Sequence, residues 1–166
     1  MLGRIEHIAL AVKDLDAAIR HYTEVWGLTV SERERVEDQG VEEAVLPAGG
    51  ALLQLIAPTE SESTVARFID RRGEGLHHIA YEVDDLRDAL AKLKAGGATL
   101  IDEEPRRGGR GHLVAFVHPS ASHGVLVELV QRPLGGPASE AASPPNPLSL
   151  GGPASEAASP PNPRLR

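Results

Sequence analysis

Two histidines stand at equivalent points of two similar segments of the chain. His7 begins H-I-A-L-A-V-K-D-L-D-A-A-I, and His78 begins H-I-A-Y-E-V-D-D-L-R-D-A-L. The first half of each segment alternates with period two, which predicts a strand whose bulky residues share one face. Each histidine then lies on the opposite, open face, where an imidazole can bind a metal ion. The same alternation assigns His77 to the packed face.

Two further polar residues interrupt apolar strands near the ends of the two segments. Gln54 lies within A-L-L-Q-L-I-A, and Glu128 lies within G-V-L-V-E-L-V. Burying an unpaired carboxylate in such a strand is costly, so a positive group is expected to meet Glu128. A divalent cation held by His7, Gln54, His78 and Glu128 would satisfy all four side chains. Two imidazoles and two oxygens suit Co²⁺, Zn²⁺, Mn²⁺ or Ni²⁺.

Composition narrows the classes of function. The chain has no cysteine, which excludes disulfides and thiolate ligands, and its formal charge of -7 argues against non-specific binding to nucleic acid or to an anionic membrane. No apolar stretch approaches the length of a membrane span, and the segment M-L-G-R-I-E-H lacks a signal-peptide core. We therefore expect a cytoplasmic protein that acts on a small molecule.

The elements that position these residues form a β-α-β-β-β unit used twice. Asp14 and Asp85 are candidate N-caps of the two helices, which are expected to stop at Gly27 and at Gly96-Gly97. Three strands are predicted after each helix: 29–36, 41–46 and 51–57 in the first unit, and 99–102, 113–118 and 125–130 in the second.

The sequence also predicts how the chain is divided. Residues 1–133 are expected to form one domain from two modules, 1–60 and 74–133, joined by a helix at about 63–72. Beyond Pro133 the run L-G-G-P-A-S-E-A-A-S-P-P-N-P occurs twice. Such a tract buries too little apolar surface to offset its ordering entropy, so residues 134–166 are predicted to be a disordered tail.

Several motifs in combination resemble those of a known family. They are H-I-A-x-A-V-x-D-L, Q-G-V-x-E, L-Q-L-I-x-P, G-E-G-L-H-H-I-A-Y-E-V-D-D, and F-V-H-P followed by G-V-L-V-E-L-V-Q. The pattern is similar to that of methylmalonyl-CoA epimerases, in the vicinal oxygen chelate superfamily. The resemblance implies an α+β fold in which two tandem βαβββ modules form a curled mixed sheet around a metal-centred cavity. It also implies the ligands His7, Gln54, His78 and Glu128, an acyl-CoA substrate and a homodimer, and it favours Co²⁺.

The resemblance further implies an isomerase that interconverts (R)- and (S)-methylmalonyl-CoA. Removing a proton from one face of a carbon and returning one to the other requires two proton carriers. Glu43, in Q-G-V-E-E-A-V-L, matches the catalytic glutamate of the family, and Glu128 is the expected second carrier. The metal is expected to stabilise the enolate formed when the α-proton leaves.

Three other readings of the residues stay open. A glyoxalase-type lyase or isomerase shares the fold, although glyoxalases commonly carry glutamate at the position of Gln54. A ring-cleaving dioxygenase would use two histidines and one carboxylate on iron. A non-catalytic small-molecule-binding protein of the same fold would generally lack the full ligand set. The glycine-rich segment of Arg106, Arg107 and Arg110 could contact CoA phosphates or remain a solvated loop.

Overall fold

The two repeated segments form the two halves of one sheet. The computed structural model describes residues 2–133. The first half consists of β1 (Ile5–Ala11), α1 (Leu15–Glu24), β2 (Glu32–Val36), β3 (Val41–Ala48) and β4 (Ala51–Pro58). Helix α2 (Thr64–Arg72) follows, and then come β5 (Gly75–Glu82), α3 (Leu86–Ala95), β6 (Arg106–Arg107), β7 (Leu113–Val117) and β8 (Leu126–Gln131).

The eight strands form a curled mixed sheet in the order β2-β3-β4-β1-β5-β8-β7-β6. The first strands of the two halves, β1 and β5, lie side by side and antiparallel at the centre. Each of them pairs in parallel with the last strand of its own half, β4 or β8. This arrangement confirms the predicted α+β fold and brings the four strands that carry the predicted ligands together.

Each long helix covers one face of its own half-sheet. Leu15 of α1 packs with Leu46 and Leu55, and Leu86 of α3 packs with Val117 and Leu129. The strand residues that alternate with these core residues lie on the other face of the sheet. The period-two alternation of each strand therefore separates a helix-covered core from the surface that carries the polar residues.

The predicted N-caps of α1 and α3 are confirmed, and α3 ends as predicted at Gly96, whereas α1 ends at Glu24, before the predicted stop at Gly27. The side chain of Asp14 accepts a hydrogen bond from the backbone of Ala17, and that of Asp85 accepts one from Asp88. Each cap of this kind contributes ~1 kcal/mol of helix stability. Within residues 2–133 no helix is both long and apolar enough to cross a membrane.

The prediction of a strand at 99–102 was wrong. Only Leu100 forms an isolated bridge, to Val117, and the edge strand of this half is β6. The backbone N–H of Phe116 donates a hydrogen bond to the carboxylate of Asp102. In a strand pair this N–H would donate to a backbone carbonyl instead. Glu103, Glu104 and Pro105 then follow, and residues of these types are depleted in strands. The predicted disordered tail, 134–166, lies outside the described residues.

Candidate metal centre and active-site cavity

Three of the four predicted ligands meet at one point. Nε2 of His7 lies 2.9 Å from Nε2 of His78, and each of these atoms lies 3.1 Å from Oε2 of Glu128. All three residues are buried. These side chains come from three neighbouring strands, β1, β5 and β8, and could hold a metal ion together.

Strand register explains how the side chains converge. His7 and Glu128 both pair with Ala80, so these three residues form one row across the sheet. A second row runs from β5 through β1 to β4, because His78 and Gln54 both pair with Ala9. The two rows are related by the internal repeat, which makes Gln54 the counterpart of Glu128. Each row has a fully buried alanine at its centre, which leaves room above the strands for the larger side chains.

Charge balance at this point favours a cation. Burial alone would lower the pKa of His7, but its hydrogen bonds with Glu128 and Glu6 outweigh burial and raise that pKa to about 9. Burial likewise opposes ionisation of Glu128, yet the hydrogen bonds from both imidazoles hold its pKa well below the usual range. The buried carboxylate predicted from the sequence is therefore met by positive charge on His7.

Gln54 and Glu43 line the same cavity, whose volume is about 220 Å³. Nε2 of Gln54 donates a hydrogen bond to Oε2 of Glu43 over 2.8 Å. Burial raises the pKa of Glu43 to about 7, although the nearby charge of Arg110 opposes the shift. A carboxyl group with such a pKa can both accept and release a proton near neutral pH. Glu42 lies on the other side of β3 and pairs with Arg33.

Comparison with known proteins places this arrangement in a family. Residues 6–116 match the model of the Glyoxalase/Bleomycin resistance protein/Dioxygenase superfamily. The chain belongs to this superfamily.

Individual members of the superfamily resemble the chain more closely. The ethylmalonyl-CoA/methylmalonyl-CoA epimerase of Cereibacter sphaeroides is 37% identical over 133 residues, which cover 79% of this chain and 99% of that protein. The mitochondrial methylmalonyl-CoA epimerase of Bos taurus is 37% identical over 131 residues, 78% of this chain and 75% of the bovine protein. A variant of Streptomyces coelicolor methylmalonyl-CoA epimerase, solved in complex with 2-nitronate-propionyl-CoA, superposes with a TM-score of 0.76 at 39% identity, covering 81% of this chain and 97% of that one. The sequence resemblance to these epimerases is confirmed.

Glu6 supports His7, and this role was not predicted from the sequence. The carboxylate of Glu6, 2% exposed, accepts a hydrogen bond of 2.5 Å from Nδ1 of His7. Arg110 and Arg132 donate to the same carboxylate over 3.2 and 3.3 Å. Burial disfavours ionisation of Glu6, but the hydrogen bond from His7 and the charge of Arg110 lower its pKa to about 2. A carboxylate on the second nitrogen of a ligating histidine fixes the tautomer and orientation of the ring.

The placement of His77 on the packed face was wrong, for a reason that also explains Glu6. The register between β1 and β5 shifts twice, once beside Glu6 and once beside His77, so that each lacks a partner on the opposite strand. Such a bulge changes the direction of a side chain. His77 lines the cavity, and its Nδ1 lies 2.8 Å from Nδ1 of His78. In both halves, therefore, the residue before the histidine contacts that histidine's Nδ1.

Two arginines of the segment formed by β6 and the loop that follows it make contacts within the protein. Arg106 pairs with Asp102 and lies over the ring of Phe116. Arg110 reaches Glu6 and lines the cavity. The predicted contact of this segment with CoA phosphates stays a prediction.

Proposed function

We propose that the chain is a metal-dependent epimerase that interconverts (R)- and (S)-methylmalonyl-CoA. The observation that carries the proposal is the meeting of His7, His78 and Glu128 in one cavity with Gln54 and Glu43. Relatives with 37% identity over most of the chain are named as epimerases of this substrate, and one solved relative is bound to a propionyl-CoA derivative. These relatives support the choice of an acyl-CoA thioester.

A divalent ion would be held by His7, His78 and Glu128, with Gln54 as the fourth ligand. The first three ligand atoms lie 2.9 and 3.1 Å apart, close enough to bind one ion together. The donor set suits Co²⁺, Zn²⁺, Mn²⁺ or Ni²⁺, and we favour Co²⁺ from the family resemblance. When bound, such an ion supplies a Lewis acid that stabilises negative charge developing on the thioester carbonyl.

Glu43 and Glu128 are the proposed proton carriers. They lie on β3 and β8, in opposite halves of the curled sheet, and both line the cavity. A substrate α-carbon between them would present one face to each carboxyl group. Gln54 occupies Oε2 of Glu43, so Oε1 is the atom that would take the α-proton. Glu128 would return to the opposite face a proton taken up from solvent, and the proton left on Glu43 would go to solvent before the next turnover.

Hydrogen exchange tests the proposal directly. One epimer of methylmalonyl-CoA, incubated with the wild-type protein in deuterated water, should exchange its α-hydrogen. Glu43→Gln should keep the metal but lower the exchange rate ~100-fold or more, because a general acid–base group contributes rate factors of this order. Glu42→Gln is the matched control, since Glu42 pairs with Arg33 on the other side of the strand, and it should exchange at the wild-type rate.

Two outcomes would contradict the proposal. Exchange of both epimers by Glu43→Gln at the wild-type rate would exclude Glu43 as a proton carrier. Formation of a thioester from methylglyoxal and glutathione, without exchange of methylmalonyl-CoA, would assign the cavity to a glyoxalase-type reaction instead. Metal analysis of the same preparations distinguishes both results from a non-catalytic binding protein, which would contain no metal.

The proposal includes a homodimer, which the family resemblance implies, and a cytoplasmic location. Sedimentation equilibrium of the full chain checks the dimer, and cell fractionation checks the location. A monomer across micromolar concentrations, or recovery outside the cytoplasmic fraction, would contradict these parts without affecting the chemistry.

A further inference from the structure

A second cavity, of about 450 Å³, lies beside the first. The two cavities share three lining residues, Thr64, His77 and Leu126, so they adjoin at this border. A substrate that fills the metal-containing cavity with its acyl group could therefore continue into the second one. Apolar side chains, including Phe68 and Val125, form much of its wall.

One face of α2 brings positive charge to the second cavity. Its lining residues from this helix are Thr64, Arg67, Phe68, Arg71 and Arg72. Their spacing of three and four residues places them along one side of the helix. Val65 and Ile69 are buried on the side that packs into the core. The three arginines are thus held along one edge of the cavity by the packing of α2.

These arginines lack carboxylate partners among residues 2–133. Arg67 donates to the backbone carbonyl of Glu62, and no ion pair is formed by Arg71 or Arg72 within the described residues. Like charges at this helical spacing repel one another. In a chain with a formal charge of -7, such a cluster offers a local attraction for an anion that the protein as a whole repels.

We propose that this arginine groove, formed by Arg67, Arg71 and Arg72, binds the phosphate groups of the acyl-CoA substrate, an inference that rests on the proposed function. The pantetheine arm runs past Leu126 and His77, and the acyl group reaches the metal centre. Guanidinium groups bind phosphate oxygens in paired, charge-assisted hydrogen bonds. The alternative basic segment offers less free charge, because Arg106 and Arg110 are paired with Asp102 and Glu6.

The test compares two substrates that differ in the phosphorylated adenosine end of CoA. Methylmalonyl-CoA carries the nucleotide phosphates, and methylmalonyl-pantetheine lacks them. The double variant Arg71→Ala, Arg72→Ala should raise KM for the CoA thioester on the order of tenfold and leave kcat unchanged, because the lost contacts lie away from the reacting carbon. KM for the pantetheine thioester should be the same in the variant and the wild type. Arg20→Ala, on the exposed side of α1, is the matched control.

Two other results of this comparison would overturn the inference. An unchanged KM for the CoA thioester means that the phosphates bind elsewhere. An equal rise for both thioesters, together with a lower Tm, means that the arginines act on the fold, as favourable partners of the helix C-terminus. If the wild-type protein turns over neither thioester, the proposed function fails separately. Calorimetric titration with free CoA then still tests the groove: equal affinity in wild type and double variant would reject it.

Discussion

Replacing Glu6 by glutamine removes the negative charge that supports His7 while preserving side-chain volume. Nδ1 of His7 loses the charged acceptor that lies 2.5 Å away. That acceptor fixes which ring nitrogen carries the hydrogen and increases the basicity of Nε2, the atom that faces the metal centre. Loss of a carboxylate in this position typically lowers metal affinity or activity ~10- to 100-fold. We expect a fall of this size in the affinity for Co²⁺.

The same substitution should destabilise the metal-free fold. The side chains of Arg110 and Arg132, which pair with Glu6 over 3.2 and 3.3 Å, are only 18% and 17% exposed. Breaking a buried ion pair costs ~3–5 kcal/mol, because the remaining charge stays buried. Both arginines keep some contact with solvent, so we expect the lower end of that range, ~3 kcal/mol.

Two measurements separate these effects. Competition with a chelator gives the Co²⁺ affinity, and urea unfolding in the presence of the chelator gives the stability of the metal-free protein. Glu82→Gln is the control, because Glu82 also lies beside Arg132, at 3.6 Å, but pairs chiefly with the exposed Arg4. It should change both quantities little. If Glu6→Gln binds Co²⁺ within twofold of the wild-type affinity, the reasoning that Glu6 supports His7 is refuted.

Ala80→Val and Gly109→Ala test two positions beside the proposed site, and Ala115→Val is the control for the first. Ala80→Val adds bulk between two proposed ligands in their row and should abolish metal binding, whereas Ala115→Val, under α3, should cost ~1–3 kcal/mol of stability and leave metal binding intact. Metal bound equally by both variants would contradict this. A Cβ at Gly109 would lie 3.1 Å from Oε1 of Glu43, so Gly109→Ala should slow hydrogen exchange ~10-fold with an unchanged Tm. A wild-type exchange rate in that variant would contradict this prediction.

The repeat made much of the fold and of the candidate metal centre predictable from sequence. Period-two alternation assigns each strand residue to a face, and the repeat applies the same assignment twice. His7 and His78 could therefore be selected as equivalent residues, and Gln54 and Glu128 as their counterparts on the last strands. In each half the first strand pairs in parallel with the last strand, and Ala9 or Ala80 lies between the polar residues. The two halves therefore have the same register, as expected for a repeat.

The positions of Glu6 and His77 could not be predicted from the alternation along each strand. A bulge arises from the register between two strands that are far apart in sequence, and alternation along one strand does not contain that information. Glu6 did carry a signal, since strict alternation would bury its carboxylate among the apolar residues under α1. A charged residue beside a candidate ligand, on the face assigned to the core, indicates a bulge. His77 carried no such signal, because a histidine is tolerated in a core.

The repeat is not exact at one position, and the difference separates two chemical tasks. Gln54 and Glu128 occupy equivalent places, yet only an amide can donate to Glu43 while its oxygen remains available as a ligand. A carboxylate in place of Gln54 would face Glu43 as a like charge and would also cancel the remaining charge of a dication that already binds Glu128. In the proposed site, one acidic and one amide ligand would preserve net positive charge where negative charge develops on the substrate, and the amide would hold Glu43 in position. The repeat places the four residues at equivalent positions, and the difference between Gln54 and Glu128 makes the two halves of the cavity chemically distinct, as the proposed inversion of a carbon centre requires.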